Sequence, residues 1–195
     1  MKKIIAICIV GICCLHSSSF AQWPVTYSTR GNFAFGMPTL TYSVDTLNLL
    51  SYVCTPNDSS NISYHVEFID SASISGNQEL EDLLGNPSAR AFASDPCYVD
   101  SIAKMLDMYA QVFQNTTQGT IEGYENSDYT PCSIRGRELT VRHPNLNGDG
   151  GYFFTFTRYF YWNGKLLIFT VTGPESNLMA LYAYKNQFFS SIYIY

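Results

Sequence analysis

The segment from Tyr152 to Trp162 constrains the fold of this chain most, because eight of its eleven side chains are aromatic. Alternate side chains of a β-strand point to opposite faces, and a sheet with one wet face needs polar residues on one of the two sets. Neither set is polar enough here. Eight exposed rings of about 150–250 Å² each would also exceed the apolar patch that a soluble monomer tolerates. The segment therefore predicts a strand covered by helices on both faces.

An alternative is that part of this aromatic strand is a platform on which a ligand stacks. The rings of Tyr159, Tyr161 and Trp162 lie nearest the end of the strand, so they are the rings expected to escape cover. Tyrosine and tryptophan combine a large apolar ring with a polar group, which suits a partly wet binding surface. These three residues are the aromatic part of a candidate ligand site.

A hairpin is predicted directly after the aromatic strand. Asn163 and Gly164 separate it from the apolar run at 165–172, and Asn-Gly between two apolar runs is a strong hairpin signal. Pro174 and Glu175 then suit the first turn of a closing helix. The side chains expected on its inward face are Leu178, Leu181, Tyr182, Lys185, Phe188 and Ile192.

A second helix is predicted earlier in the chain, from Tyr98 to Gln114. Its apolar residues recur three and four positions apart, so one face of the helix must be buried. Two alternating segments, at 119–125 and 133–142, follow it and are predicted to be strands that precede the aromatic strand.

The first part of the chain is predicted to be mostly strands. Residues 22–30 are polar and are expected to form a loose lead-in. Period-two spacing then predicts a hairpin that turns at residues 36–38, followed by a third strand that ends at Cys54. A further strand is predicted at 62–70 and a short helix at 77–85.

Together these elements predict the fold class. Consecutive strands joined by short turns form antiparallel sheets, and helices on either side of a strand block are placed to cover it. We predict an α+β protein with an antiparallel sheet of about six to eight strands between helices. No linker or repeat divides residues 22–195, so we expect them to form a single domain.

The first 21 residues have the pattern of a secretory signal peptide. Lys2 and Lys3 precede an apolar run, and small residues flank a cleavage point after Ala21. The run is shorter than the roughly 20 residues that a permanent membrane anchor needs. We therefore expect a secreted or periplasmic protein without a membrane span after cleavage.

The charge balance bears on possible partners. The whole chain has a formal net charge of −5, and loss of Lys2 and Lys3 with the signal makes the mature chain more acidic. An acidic chain repels the phosphate backbone. Nucleic acid is therefore not an expected partner.

Cys54, Cys97 and Cys132 remain after signal cleavage, in a compartment where disulfides form. Three cysteines allow three single bridges, and the sequence does not choose between them. No Cys-x-x-Cys pair is present, so neither a thioredoxin motif nor a zinc knuckle is predicted. We expect no metal site and no cofactor.

Basic residues provide the polar part of the candidate ligand site. Arg135 and Arg137 lie on one face of their strand, and Arg158 lies on the aromatic strand. Guanidinium groups bind carboxylates and phosphates through two parallel hydrogen bonds. Pairing with the carboxylates of the protein itself is the alternative use of these arginines.

The evidence for catalysis is weak. Only His65 and His143 remain in the mature chain as histidine bases, and no nucleophile motif accompanies either of them. No catalytic residue is predicted. A hydrolase would need one of these histidines to meet a carboxylate across a cleft.

The order of elements resembles the PsbP-like fold, which the photosystem II extrinsic subunit shares with the Ran-binding nuclear-import factor and many exported bacterial proteins. The resemblance rests on the export signal, on the Phe33, Phe35 and Pro38 pattern, and on the hairpin from Tyr159 through NGKLLIFTVTGPES. It also includes the aromatic-Ser end at 189–191 and spans nearly all of residues 31–192. It implies an antiparallel sheet between helices and a role that is usually not enzymatic.

The function that we expect is that of an exported, non-enzymatic binding or accessory protein, with an envelope protein or protein assembly as its partner. One alternative is a small-ligand or glycan binder that uses the aromatic residues near the hairpin at 159–165. A further alternative is a hydrolase built on His65 or His143. The resemblance transfers no functional residue, because no site motif of the family is found in this sequence.

Overall fold

The computed structural model describes residues 23–39, 42–45, 49–54, 61–70, 96–129, 134–145 and 150–195. Within these ranges five strands precede the first helix, four follow it, and one short strand comes after the second helix. The elements are β1 (Val25–Ser28), β2 (Phe33–Gly36), β3 (Tyr42–Asp45), β4 (Leu49–Cys54), β5 (Ser63–Asp70), α1 (Pro96–Thr117), β6 (Thr120–Asn126), β7 (Gly136–Pro144), β8 (Tyr152–Trp162), β9 (Lys165–Pro174), a 3₁₀ helix (Glu175–Asn177), α2 (Leu178–Ser190) and β10 (Tyr193–Ile194).

The strands form two antiparallel sheets. The larger sheet has seven strands in the order β3-β4-β5-β9-β8-β7-β6, and the smaller has three in the order β1-β2-β10. The predicted α+β class, with an antiparallel sheet and covering helices, is confirmed. The aromatic strand β8 lies inside the larger sheet, between β7 and β9.

The predicted hairpin joins β8 to β9. Asn163 and Gly164 form its turn with φ angles of 50° and 77°. A two-residue turn of type I′ requires positive φ at both central positions, and Asn-Gly tolerates this best. Backbone pairing between the two strands then continues without interruption, from the pair of Trp162 with Lys165 to the pair of Phe153 with Pro174.

One face of β8 belongs to the first core. Phe154, Phe156 and Phe160 point to this side, where α2 and the inner face of the small sheet cover them. The small sheet is held by rings: Phe33 of β2 contacts Phe169 of β9 edge-on, with 5.5 Å between the ring centroids. Such pairs add to the burial of apolar area that holds the layers together.

The other face of β8 belongs to the second core, which α1 covers. Leu106 of α1 and Tyr159 of β8 are both fully buried there. The hydroxyl of Tyr159 donates to the backbone carbonyl of Leu106 at 2.9 Å, which satisfies the one polar group that this ring buries. The prediction that the aromatic strand is covered on both faces is therefore confirmed.

The predicted start of the fold is wrong. Residues 22–30 are not a loose lead-in, because β1 pairs with β2. The hairpin across residues 36–38 does not form either, since β3 pairs with β4 in the other sheet. Strand β2 instead lies between β1 and β10, and the latter comes from the other end of the chain. Local alternation carries no signal for such distant pairing.

The two predicted helices are present with small changes. Helix α1 extends the predicted range by two or three residues at each end, whereas a 3₁₀ turn over Glu175–Asn177 precedes α2. Ile192 follows the end of α2 but is buried, and Tyr182 of α2 is 42% exposed.

Some of the predicted features lie outside the described residues. These are the signal peptide at 1–21, the short helix at 77–85, the side chain of Cys97, and Cys132. Cys54 is described and is buried.

Candidate functional site

The arginines of the predicted ligand site each pair with a carboxylate of the protein itself. Arg135 donates to Asp128 at 2.7 Å, and Arg137 donates to Asp107 of α1 at 3.2 Å. Arg158 is on the opposite face of the sheet, because it contacts Phe189 of α2. The structure therefore does not bring these three arginines together into one cationic site.

Arg158 is part of a buried charge cluster. It donates to Glu138 Oε2 through Nε at 3.0 Å and Nη2 at 2.5 Å, while Lys185 of α2 donates to Oε1 at 2.6 Å. Glu138 is only 6% exposed. Burial alone would raise the pKa of Glu138, but the hydrogen bonds and charges of Lys185 and Arg158 hold this pKa below its ordinary value. The cluster fixes α2 to the sheet.

The aromatic residues of the predicted site are largely covered. Tyr159 is 0% exposed and Tyr161 is 6% exposed, so the expectation that these rings escape cover is wrong. The reason is that both belong to the core beneath α1. Burial raises the pKa of the Tyr159 hydroxyl. Trp162 is partly buried against the other core, and its Nε1 meets no acceptor within the residues described here.

The two histidines are held by neighbouring hydroxyl groups. His65 Nε2 is hydrogen-bonded to Ser51 Oγ, and His143 Nε2 to Thr155 Oγ1 at 2.9 Å. Burial lowers the pKa of His65, because loss of water disfavours the charged imidazolium. Ser51 is 8% exposed, so a substrate carbonyl could not reach its hydroxyl without displacing the groups that cover it. This arrangement favours a structural role for His65.

The outer face of the small sheet presents tyrosines to solvent. Tyr27 of β1 and Tyr193 of β10 lie opposite Ala34 of β2 on either side, so the three residues form one row across the sheet. Tyr27 is 68% exposed and Tyr193 is 58% exposed, whereas Ala34 between them is buried. Val25 lies two residues before Tyr27 and so shares its face.

A third tyrosine extends this row. Tyr195 follows β10, and its ring lies 6.0 Å from that of Tyr193 at an interplanar angle of 30°. Its backbone N–H donates to the carbonyl of Asn32 at 3.0 Å, and the residue remains 46% exposed. We call Val25, Tyr27, Tyr193 and Tyr195 the tyrosine face.

The inner face of the small sheet holds this surface in place. Phe33 and Phe35 of β2 are fully buried in the first core, and Ile194 of β10 is buried beside them. Alternation along each strand therefore sends one set of side chains into the core and the other to solvent. The tyrosine face is thus attached to strands whose other face is buried in the first core.

The sequence analysis missed the tyrosine face. Its members alternate with inward residues, as Val25 and Tyr27 do with Thr26 and Ser28. This period-two signal spans only a few residues in each strand, which is too short to separate a strand from a polar loop. The alternation can be recognised as that of a strand only because β1 and β10 both pair with β2.

No group of three or more His, Cys, Asp and Glu residues lies close enough to hold a metal ion within the described ranges. Among the helices that the structure describes, none is long and apolar enough to cross a membrane.

Comparison with known proteins gives matches only at the level of structure. No protein-family model matches the sequence, and no curated protein matches it either. The cyanobacterial PsbP of Synechocystis matches with a TM-score of 0.55 at 14% identity, over 92% of this chain and 96% of the other.

Two other solved structures are similar at lower scores. The Ran-binding protein Mog1p of Saccharomyces cerevisiae has a TM-score of 0.48 at 8% identity, over 88% of this chain and 94% of its own. A protein of unknown function from Pseudomonas aeruginosa, described as a possible regulator, has a TM-score of 0.44 at 9% identity. The match covers 85% of this chain and 92% of the other. The seven-stranded sheet, its two helices and the match to cyanobacterial PsbP show that this chain has the PsbP-like fold.

Proposed function

We propose that the protein is an exported, non-enzymatic accessory protein that binds a protein of the cell envelope through its tyrosine face. The observation that carries this proposal is the row of exposed rings on the outer face of the small sheet, where Tyr27 and Tyr193 are both more than half exposed. Tyrosine is enriched at protein interfaces, because its ring supplies apolar area and its hydroxyl supplies a hydrogen bond.

The packing beneath and within this surface supports the proposal. Few rotatable bonds separate a tyrosine ring from the backbone, so little conformational entropy is lost on binding. The strands beneath the rings are anchored in the first core, and Tyr195 packs on Tyr193. A partner would therefore meet a surface that is already ordered.

The arrangement of the charged residues also favours binding over catalysis. Arg137, Arg142 and Arg158 each pair with a carboxylate of the protein itself, so the charge of each is already balanced within the chain. Cyanobacterial PsbP, which shares the fold, supports the class of function only by analogy.

The test is affinity capture from the native envelope with the mature chain as bait. The variant Tyr27→Ser/Tyr193→Ser removes two rings of the tyrosine face. Met179→Ser is the control, because Met179 is 86% exposed on α2. We expect a partner that wild type and the control retain and the double variant loses, with affinity falling at least roughly tenfold.

Two results would contradict the proposal. Equal capture by the double variant would show that the tyrosine face is not the binding surface. Recovery of the native protein from the cytoplasm with residues 1–21 intact would remove the envelope assignment.

A further inference from the structure

A cleft of about 840 Å³ lies at the end of the larger sheet where β8 begins and β9 ends, away from the Asn163–Gly164 hairpin. This volume falls in the range of roughly 300–1,000 Å³ that is typical of small-molecule sites. Its lining comes from the start of β5, the end of β7, the start of β8 and the 3₁₀ helix.

The polar lining of the cleft is mainly neutral. Asn61, Ser63, Asn145 and Ser176 provide amide and hydroxyl groups, which both donate and accept hydrogen bonds. The cleft also contains the carboxylate of Glu175, which pairs with an arginine beside it. This lining suits a neutral ligand rich in hydroxyl groups better than an ion.

Among the lining residues that the structure describes, Glu175 is the charged one, and a salt bridge balances its charge. Arg142 donates to Glu175 Oε1 at 3.1 Å and to Oε2 at 3.0 Å. This bidentate geometry orients the carboxylate and leaves its remaining lone pairs to accept from a ligand hydroxyl.

An exposed aromatic ring lines the same cleft. Tyr152 is 45% exposed, and the guanidinium of Arg142 lies 3.6 Å from the centre of its ring. This contact covers one face and fixes the orientation of the ring. The negative face of an aromatic ring attracts polarised C–H groups, which a pyranose presents on its apolar side.

The backbone of the cleft is open beside this ring. Gly150 and Gly151 have φ angles of 71° and 84°, and no atom of the described residues lies within 4 Å of the position that a Cβ would occupy. Glycine adopts these angles without strain. A ligand can therefore approach the main chain at these two residues.

We propose that this cleft binds a short neutral glycan that stacks on Tyr152 and hydrogen-bonds to the amide, hydroxyl and carboxylate groups around it. The proposal places glycan binding at the opposite end of β8 from the buried rings of Tyr159 and Tyr161. It requires no residue of the tyrosine face, so it stands independently of protein docking.

The test is an oligosaccharide array with the purified mature chain, followed by calorimetry on the best binder. The array includes neutral gluco-, galacto-, manno- and N-acetylglucosamine oligomers and matched oligomers that contain uronic acids. We expect binding to a neutral oligomer. Tyr152→Ala should weaken it by roughly tenfold or more through loss of the stacking ring, whereas Tyr152→Phe should retain most of it.

Tyr193→Ser is the matched control, because it removes another exposed tyrosine from a different surface and should leave glycan binding unchanged. Circular dichroism confirms that each variant is folded. Absence of binding to every neutral oligomer, preference for the acidic ones, or full affinity in Tyr152→Ala would each overturn the proposal. Loss of protein capture without loss of glycan binding would affect the docking proposal alone.

Discussion

At the residue scale, Glu138 connects the sheet to its covering helix. Its carboxylate lies between Arg158 of the neighbouring strand and Lys185 of α2, and the charged group of each base also lies over an aromatic ring. A buried carboxylate is costly unless charged partners compensate for the lost water, and two partners do so here. The stability of this contact therefore depends on all three charges together.

Glu138→Gln is expected to lower the free energy of unfolding by about 2–3 kcal/mol, because it leaves two cations against one neutral amide. Glu175→Gln is the control. It breaks the pair between Glu175 and Arg142. The side chains of Arg142 and Glu175 are 32% and 41% exposed, so the loss of this pair should change stability little. Urea unfolding followed by circular dichroism measures both. Equal effects of the two variants would show that burial does not strengthen the Glu138 cluster.

The lowered pKa of Glu138 predicts that the stability of the fold depends on pH. The folded-state pKa of Glu138 lies below its ordinary value of 4.5, so its stabilising contribution is complete above that value and is lost as pH falls through the folded-state pKa. Protonated Glu138 then resembles glutamine. The difference between wild type and Glu138→Gln should therefore shrink between about pH 7 and about pH 3.5. A constant difference over this interval would contradict the assignment.

At the element scale, the strength of the local signal decided what could be predicted. Helix α1 and the β8–β9 hairpin were predicted correctly, because helical periodicity and an Asn-Gly turn involve neighbouring residues. Strand β1 was missed, since it has four residues and its sheet is completed by a strand from the other chain end. The tyrosine face was missed with it.

Strand β1 is expected to contribute to stability because Trp23, two residues before it, is anchored. Trp23 contacts Tyr64 edge-on at 5.3 Å and stacks on Tyr184 of α2 at 6.2 Å. Trp23→Ala should lower the free energy of unfolding by about 2 kcal/mol, less than for a fully buried ring. Val25→Ala, at a site 48% exposed, should have little effect. Thermal unfolding compares the two, and an unchanged Tm for Trp23→Ala would show that the ring contacts of Trp23 do not stabilise the fold.

At the scale of the whole molecule, the larger sheet contributes one face to each of the two cores. Strands β1 and β10, which are far apart in sequence, pair with β2 to form the smaller sheet. The aromatic composition of residues 152–162 indicated the two-sided cover, because so many rings have no stable alternative. Composition could not show which rings remain outside. Tyr152 and Tyr159 lie on opposite faces of β8. Tyr159 is buried because α1 covers its face, whereas Tyr152 is exposed at the start of the strand, on the face of the first core, and this placement depends on tertiary structure.

Because both cores share β8 and β9, we expect residues 22–195 to unfold as one cooperative unit. Leu106→Ala removes packing beneath α1, and Leu181→Ala removes it beneath α2. Both side chains are fully buried, so each variant should lose about 2–4 kcal/mol. Each should still show a single urea transition with the slope of wild type, measured by tryptophan fluorescence and by circular dichroism. Separate transitions for the two probes would mean that the two faces of the sheet unfold independently, and the single-domain assignment would then be wrong.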